Sequence, residues 1–229
     1  MSAVLDLPIT QTTSILKIKK AVEFALQEQV SLILSDITWE TYDQFVQETM
    51  DKIVNPLFYF EKETLFIMPL LPKHERINYY LESLVNILTE EFKVDCIGLG
   101  STTYQRADIE KGFEPDSCFY FKYEKQMRNK NKLDMSIDPA PELIIEVDIT
   151  SLSTGRQNIF AAFGVPEIWR YDGDKMQILQ LNKNKYVEIN NSLALPKITV
   201  EKLSEFISKS ETLSRLDWIN EVRTWARNA

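Results

Sequence analysis

Cysteine is nearly absent from this chain. Cys96 and Cys118 are the only two, and both lie in apolar, strand-like runs, so they read as buried thiols rather than a disulfide or a metal pair. Long apolar runs are missing too: no stretch approaches the roughly 20 residues a membrane span needs. The first residues lack a positive segment followed by an apolar one, so no secretory signal is expected and the chain reads as cytoplasmic. Basic charge is in deficit, with 26 Lys and Arg against 34 Asp and Glu and a net charge of −8. The global field therefore repels nucleic acid, and any binding to DNA must use a local basic patch or a metal ion. Internal repeats and low-complexity tracts are lacking, and histidine occurs once, as His74.

What is present is enough apolar material for one sizeable core: 229 residues, 44 % hydrophobic, with 12 Phe, 9 Tyr and 4 Trp. Residues 1–30 read as an N-terminal extension, with a helix or tail over 18–29, and 31–229 as a single domain. A short edge strand is expected at 31–34. A helix follows from Asp36 or Thr38, carrying Trp39, Tyr42, Phe45 and Val46 at three- and four-residue steps. Residues 57–60 and 64–68 flank Glu61-Lys62-Glu63 as a hairpin without glycine. Pro72 opens a long helix to about Phe92, with Ile77, Leu81, Leu84, Val85 and Leu88 on one stripe.

Three strands are predicted next, at 94–102, 116–123 and 142–149, the last apolar on both faces and so covered on two sides. Ser151, Ser153 or Thr154 caps a helix that Gly164 ends. Strands at 167–171, 175–181 and 186–189 and helices at about 200–208 and 213–229 complete the chain. The order implies an α/β domain (α+β in some schemes) with a mixed sheet, a helix on each face, and added β and helical elements.

Two acids carry the chemistry. Asp116 follows Gly112-Phe113-Glu114-Pro115, and Glu146 sits inside Pro141-Glu142-Leu143-Ile144-Ile145-Glu146-Val147-Asp148. A Pro-Asp opening one strand and a Glu inside a neighbouring one can converge on one divalent cation. Oxygen ligands, completed by a backbone carbonyl near Val147 and by waters, suit Mg²⁺ or Mn²⁺. Such a site most often serves phosphodiester hydrolysis. Strand period sets Asp148 on the same face as Glu146, as a third ligand or an outer acceptor. The alternative is that these acids are solvated turn residues.

His74, with Glu75 beside it, is either a proton relay with an added carboxylate or a surface residue at a helix N-terminus, where acids are favoured in any case. Lys122, Lys125, Arg128, Lys130 and Lys132 form the basic run of an acidic chain; they either neutralise phosphates or are solvated loop charges. Arg156 can reach back to the sheet edge and stabilise phosphate charge, or lie on the surface.

The stretches His74-Glu75, Gly100-Ser101-Thr102-Thr103, Gly112 to Asp116, Pro141 to Thr150 and Ala161 to Gly173 together resemble the Uma2 family. That family was formerly a domain of unknown function, is abundant in cyanobacteria, and is labelled restriction endonuclease within the PD-(D/E)XK nuclease superfamily. The resemblance covers about residues 30–225. It implies a restriction-endonuclease-like central mixed sheet flanked by helices, with an N-terminal hairpin and C-terminal helical additions.

It also implies that Asp116 is the metal-binding aspartate and Glu146 the second acid. The usual lysine two positions on is replaced by Asp148, and Arg156 holds the place of a basic residue on the following helix. Many relatives carry an acid where Phe66 stands here, and Glu75 is a substitute for it. The leading expectation is a Mg²⁺- or Mn²⁺-dependent endonuclease acting on DNA. In it Asp116 and Glu146 hold the metal, Arg156 stabilises charge, and Glu75, His74 or Asp148 assist. A catalytically weak or inactive nuclease fold used for binding or assembly is the alternative, and RNA is a further candidate substrate. A homodimer is expected, with Trp218 and Trp225 either at its interface or buried in the monomer.

Overall fold

The computed structural model describes residues 5–7, 15–49, 56–149 and 156–229. Its strands form two six-stranded sheets. The first contains β1 (Leu5–Leu7), β2 (Leu32–Leu34), β3 (Leu57–Glu61), β4 (Thr64–Met68), β6 (Tyr104–Arg106) and β7 (Lys111–Phe113), in the order β1-β2-β4-β3-β7-β6. The second contains β5 (Ile97–Gly98), β8 (Ser117–Tyr120), β9 (Leu143–Val147), β10 (Glu167–Tyr171), β11 (Met176–Asn182) and β12 (Lys185–Ile189), in the order β12-β11-β10-β9-β8-β5. Only β9 and β10 run parallel in this second sheet; its other pairs are antiparallel. It is the expected mixed sheet.

Helix α3 (Pro72–Phe92) packs on one face of that sheet. Its stripe of Ile77, Leu81, Leu84, Val85 and Leu88 is buried with Leu143, Ile145, Val147 and Trp169. Proline at its start costs no hydrogen bond, because the first N–H groups of a helix have no partner within it. The C-terminal helices α6 (Val200–Lys209) and α7 (Arg215–Asn228) join the same core. Thr199 and Ser214 cap them by accepting from the Lys202 and Asp217 N–H groups. A single-turn helix α4 (Glu124–Met127) follows β8, and helix α5 (Gln157–Phe163) covers the opposite face of the sheet, its Ile159, Phe160 and Phe163 clustering with Ile144, Ile168 and Leu179. Gly164 ends it at φ +77°, a conformation that suits glycine. The cap expected from Ser151, Ser153 or Thr154 lies outside the described residues.

The hairpin β3–β4 is present, and its tip turns through Lys62 and Glu63 with φ of 50° and 56°. Two residues with positive φ give a turn whose twist matches that of the strands, here without glycine. The hairpin belongs to the first sheet, a layer that residue patterning did not disclose. Helices α1 (Ile15–Glu28) and α2 (Trp39–Thr49) cover that sheet with Ile18, Val22, Tyr42 and Phe45. The strand expected at 31–34 as an edge is β2, and it is not one, because β1 pairs with it in parallel outside. The predicted strand at 94–102 shortens to β5, and Gly112-Phe113, ahead of Asp116, lies in β7. Three residues, Glu114 to Asp116, carry the chain from β7 in the first sheet to β8 in the second.

Trp218 is 1 % exposed and its indole N–H donates to the Phe206 carbonyl at 2.7 Å. It fills the core of this chain and offers no dimer surface; Trp225 packs half-buried against the same cluster. Cys96 and Cys118 are both free thiols, Cys118 buried and Cys96 half-buried. Among the described residues no helix is long and apolar enough to cross a membrane.

Candidate active site

Strands β8 and β9 are antiparallel neighbours, with Ser117 opposite Ile145, so Asp116 at the head of β8 comes level with the end of β9. The Asp116 Oδ2 accepts from the Val147 N–H at 2.5 Å, which fixes the carboxylate beside Glu146. Its carbonyl accepts from the Asn78 side chain at 3.3 Å, and Ser117 donates to Glu82, so α3 braces the same corner. Asp116, Glu146 and Asp148 are 6, 2 and 3 % exposed.

Three cations face these acids. His74, in the first turn of α3, sets Nε2 3.1 Å from Asp116 Oδ1 and Nδ1 3.2 Å from Glu75 Oε1. It is buried, not a surface cap residue, whereas Glu75 is half exposed. Burial works against a charged imidazole, but the Asp116 carboxylate and the bonds to Asp116 and Glu75 raise it from 6.5 to about 9. Arg156, at the head of α5, lies 3.1 Å from Glu146 Oε2 through Nη1 and 3.2 Å from Asp148 Oδ1 through Nη2. Its guanidinium stands 4.6 Å over the Tyr59 ring. Arg170, on β10, donates to Asp148 Oδ2 from Nη2 at 3.0 Å and from Nε at 3.3 Å.

Burial pushes Glu146 up to about 8; Arg156 pulls it down, and Asp116 and Asp148 push it up again. The Tyr59 hydroxyl reaches Glu146 Oε2 at 3.4 Å, while Glu146 Oε1 is buried with no hydrogen-bond partner. A bare, buried carboxylate oxygen beside a second carboxylate is a donor set for a hard divalent cation, and Mg²⁺ needs only one or two protein carboxylates besides water. Among the described residues no three His, Cys, Asp or Glu side chains converge as a full cage. In kind, these oxygen donors suit a Mg²⁺-type ion and not zinc.

The basic run stands elsewhere. Asp116 precedes β8 and Lys122 follows it, so the strand, roughly 13 Å at 3.3 Å per residue, separates them. Arg128 pairs with Glu124 at 2.5 Å and Lys130 with the buried Asp138 at 2.7 Å, while Lys122, Lys125 and Lys132 are exposed. Tyr59 and Arg170 are the site residues that sequence reasoning missed. Tyr59 pairs with Phe66, and Arg170 pairs in register with Glu146. The strand alternation that put Glu146 inward could have singled out Arg170 only with that register in hand.

The family model for Uma2, described as putative restriction endonuclease, matches residues 47–211, more than half of the chain. A crystal structure of a putative nuclease belonging to DUF820 from Anabaena variabilis matches with a TM-score of 0.50 at 14 % identity, covering 75 % of this chain and 99 % of that one. No curated protein matches.

Proposed function

The chain belongs to the Uma2 family, and from that premise we propose that it is a metal-dependent endonuclease hydrolysing DNA phosphodiester bonds at Asp116 and Glu146. The observation that carries this reading is the unpartnered, buried Glu146 Oε1 set beside the Asp116 carboxylate at the edge of two strands. Bound there, Mg²⁺ or Mn²⁺ would lower the pKa of a water and neutralise charge on the phosphate oxygens. Asp116 and Glu146 would hold the ion, with Asp116 aligned by the Val147 N–H.

Arg156 is pushed up from an already high pKa by Tyr59, Glu146 and Asp148 in spite of its burial, so it carries no proton to or from substrate. Its part is electrostatic: a fixed positive charge at the sheet edge where a phosphate would meet the carboxylates. His74, charged near neutrality, balances Asp116 and holds it in place. Contacts to DNA from the basic run fall to Lys122, Lys125 and Lys132, since Arg128 and Lys130 already have acidic partners.

The test is cleavage of supercoiled plasmid with Mg²⁺ or Mn²⁺, wild type against Asp116→Asn, alongside Mn²⁺ titration of both. Cleavage by the wild type alone, with Mn²⁺ binding lost in the variant, is the expected result. Equal cleavage by both proteins refutes the assignment. The neutralisation of all three acids by Arg156, Arg170 and His74 favours one second reading, a nuclease fold that binds without cutting. Mn²⁺ binding through Asp116 with no cleavage of plasmid or single-stranded substrates would select it.

A further inference from the structure

Asp148 differs from Asp116 and Glu146 in that both its oxygens face a guanidinium: Oδ1 lies 3.2 Å from Arg156 Nη2, and Oδ2 takes two donors of Arg170. Two positive neighbours this close repel a third cation. We propose that Asp148 is a positioning residue, not a metal ligand. Resting on the nuclease reading above, it acts together with Arg170 to hold the Arg156 guanidinium against Glu146.

The geometry runs across four adjacent elements. Arg170 Nη1 donates to Gln177 on β11 at 3.0 Å, so the side chain is steadied on the side away from Asp148. The Asp148 N–H donates to the Tyr171 carbonyl at 2.6 Å, which locks the end of β9 to β10 and sets the carboxylate beside Arg170. Asp148 and Glu146 then give the head of α5 two anchoring oxygens for one guanidinium, with the Tyr59 ring as its floor.

A free arginine side chain has rotamer entropy to lose, and a planar fork already held on two sides has lost it before substrate arrives. The acid that stands two positions after Glu146 thus imports a positive charge from the next helix, in place of supplying one itself. Arg170, inside the Ala161–Gly173 stretch but given no role by it, completes the device.

The experiment compares wild type with Arg170→Gln, Arg170→Lys, Asp148→Asn and Asp116→Asn. The first readout is Mn²⁺ affinity from electron paramagnetic resonance of the full chain. Asp148 and Arg170 bond to neither Asp116 nor Glu146, so Asp148→Asn and Arg170→Gln should stay within about twofold of wild type, whereas Asp116→Asn removes a carboxylate ligand and should weaken binding by at least about tenfold. A tenfold loss in Asp148→Asn would make it a ligand and overturn the proposal.

The second readout is the side-chain ¹⁵N–¹H resonance of Arg156 in metal-free protein. It should be sharp in wild type and Arg170→Lys, and broadened or shifted in Arg170→Gln and Asp148→Asn; an unchanged resonance in both would overturn the proposal. The third is plasmid cleavage, where Arg170→Gln should lower kcat by about tenfold with KM nearly constant, and Arg170→Lys should restore most of it. Wild type that neither cleaves DNA nor loses Mn²⁺ with Asp116→Asn would sink the nuclease reading. In that case the resonance alone decides whether Arg170 and Asp148 fix Arg156.

Discussion

Arg156→Met keeps an unbranched side chain but removes the guanidinium and its charge, which makes it the sharpest perturbation of the acid cluster. Arg156 is 3 % exposed and faces Glu146 at 3.1 Å and Asp148 at 3.2 Å. At an effective dielectric of 20, two unit charges this far apart attract by about 5 kcal/mol, part of which offsets the cost of burying the guanidinium. Breaking a buried pair by removing one partner costs about 3–5 kcal/mol, and the methionine variant should lose that much in urea unfolding with chelator present. Arg156→Lys keeps the charge and loses the two-armed contact, so a loss of about 1–3 kcal/mol is expected.

Saturating Mg²⁺ should then separate the two proteins further. Ligand at a hundred times its Kd stabilises by about 2.7 kcal/mol, and the variant with uncompensated carboxylates should recover more than wild type at equal Mg²⁺. Unfolding of Arg156→Met within about 0.5 kcal/mol of wild type, with unchanged m-value, would show that the acids do not depend on this arginine.

Three further outcomes are expected elsewhere. Leu84→Ala, in the fully buried stripe of α3, should cost about 2–5 kcal/mol in urea unfolding. Gly112→Ala would drive a methyl group into the Tyr42 ring, 2.8 Å from Cε1, and should destabilise by about 1–3 kcal/mol with β7 loosened in hydrogen exchange. Hydrogen bonds from Arg227 and Arg223 hold the Glu91 carboxyl down at about 2, below its unfolded value of 4.5. Its stabilising contribution is therefore present above about pH 4.5 and lost as pH falls through 2, so the Tm difference between wild type and Glu91→Gln should shrink over that window.

The helices and the central strands were legible because their signals are local. The five-residue apolar stripe of α3 and the two-faced apolar run of β9 each specify an element without reference to the rest of the chain. β6 and β7 were hidden because each has three residues, one strand ending in Arg106 and the other centred on Gly112, so neither shows a period. Their existence follows from long-range pairing, Tyr59 with Phe113 and Tyr104 with Phe113. The same holds in the site. Asp116 and Glu146 stand out in sequence by their flanking residues, and His74 by being alone. Tyr59 and Arg170 gain their meaning only through the strands beside them: Tyr59 lies in an apolar run, and Arg170, though within the Ala161–Gly173 stretch, meets Glu146 only through the register of β9 and β10.

The three-residue passage from β7 to β8 makes Asp116 answerable to both layers of the molecule. Glu114, at the start of that passage, is tied to the first sheet by accepting from the Phe58 N–H at 3.0 Å and the Thr103 hydroxyl at 2.6 Å. Asp116, at its end, is tied to the second by the Val147 N–H. A small slide of one sheet against the other therefore changes the spacing between Asp116 and Glu146 before either core is opened. The site works as a strain gauge across the seam: lesions far out in the first sheet, around Phe58 or Tyr42, should register as lost metal affinity while the fold still stands.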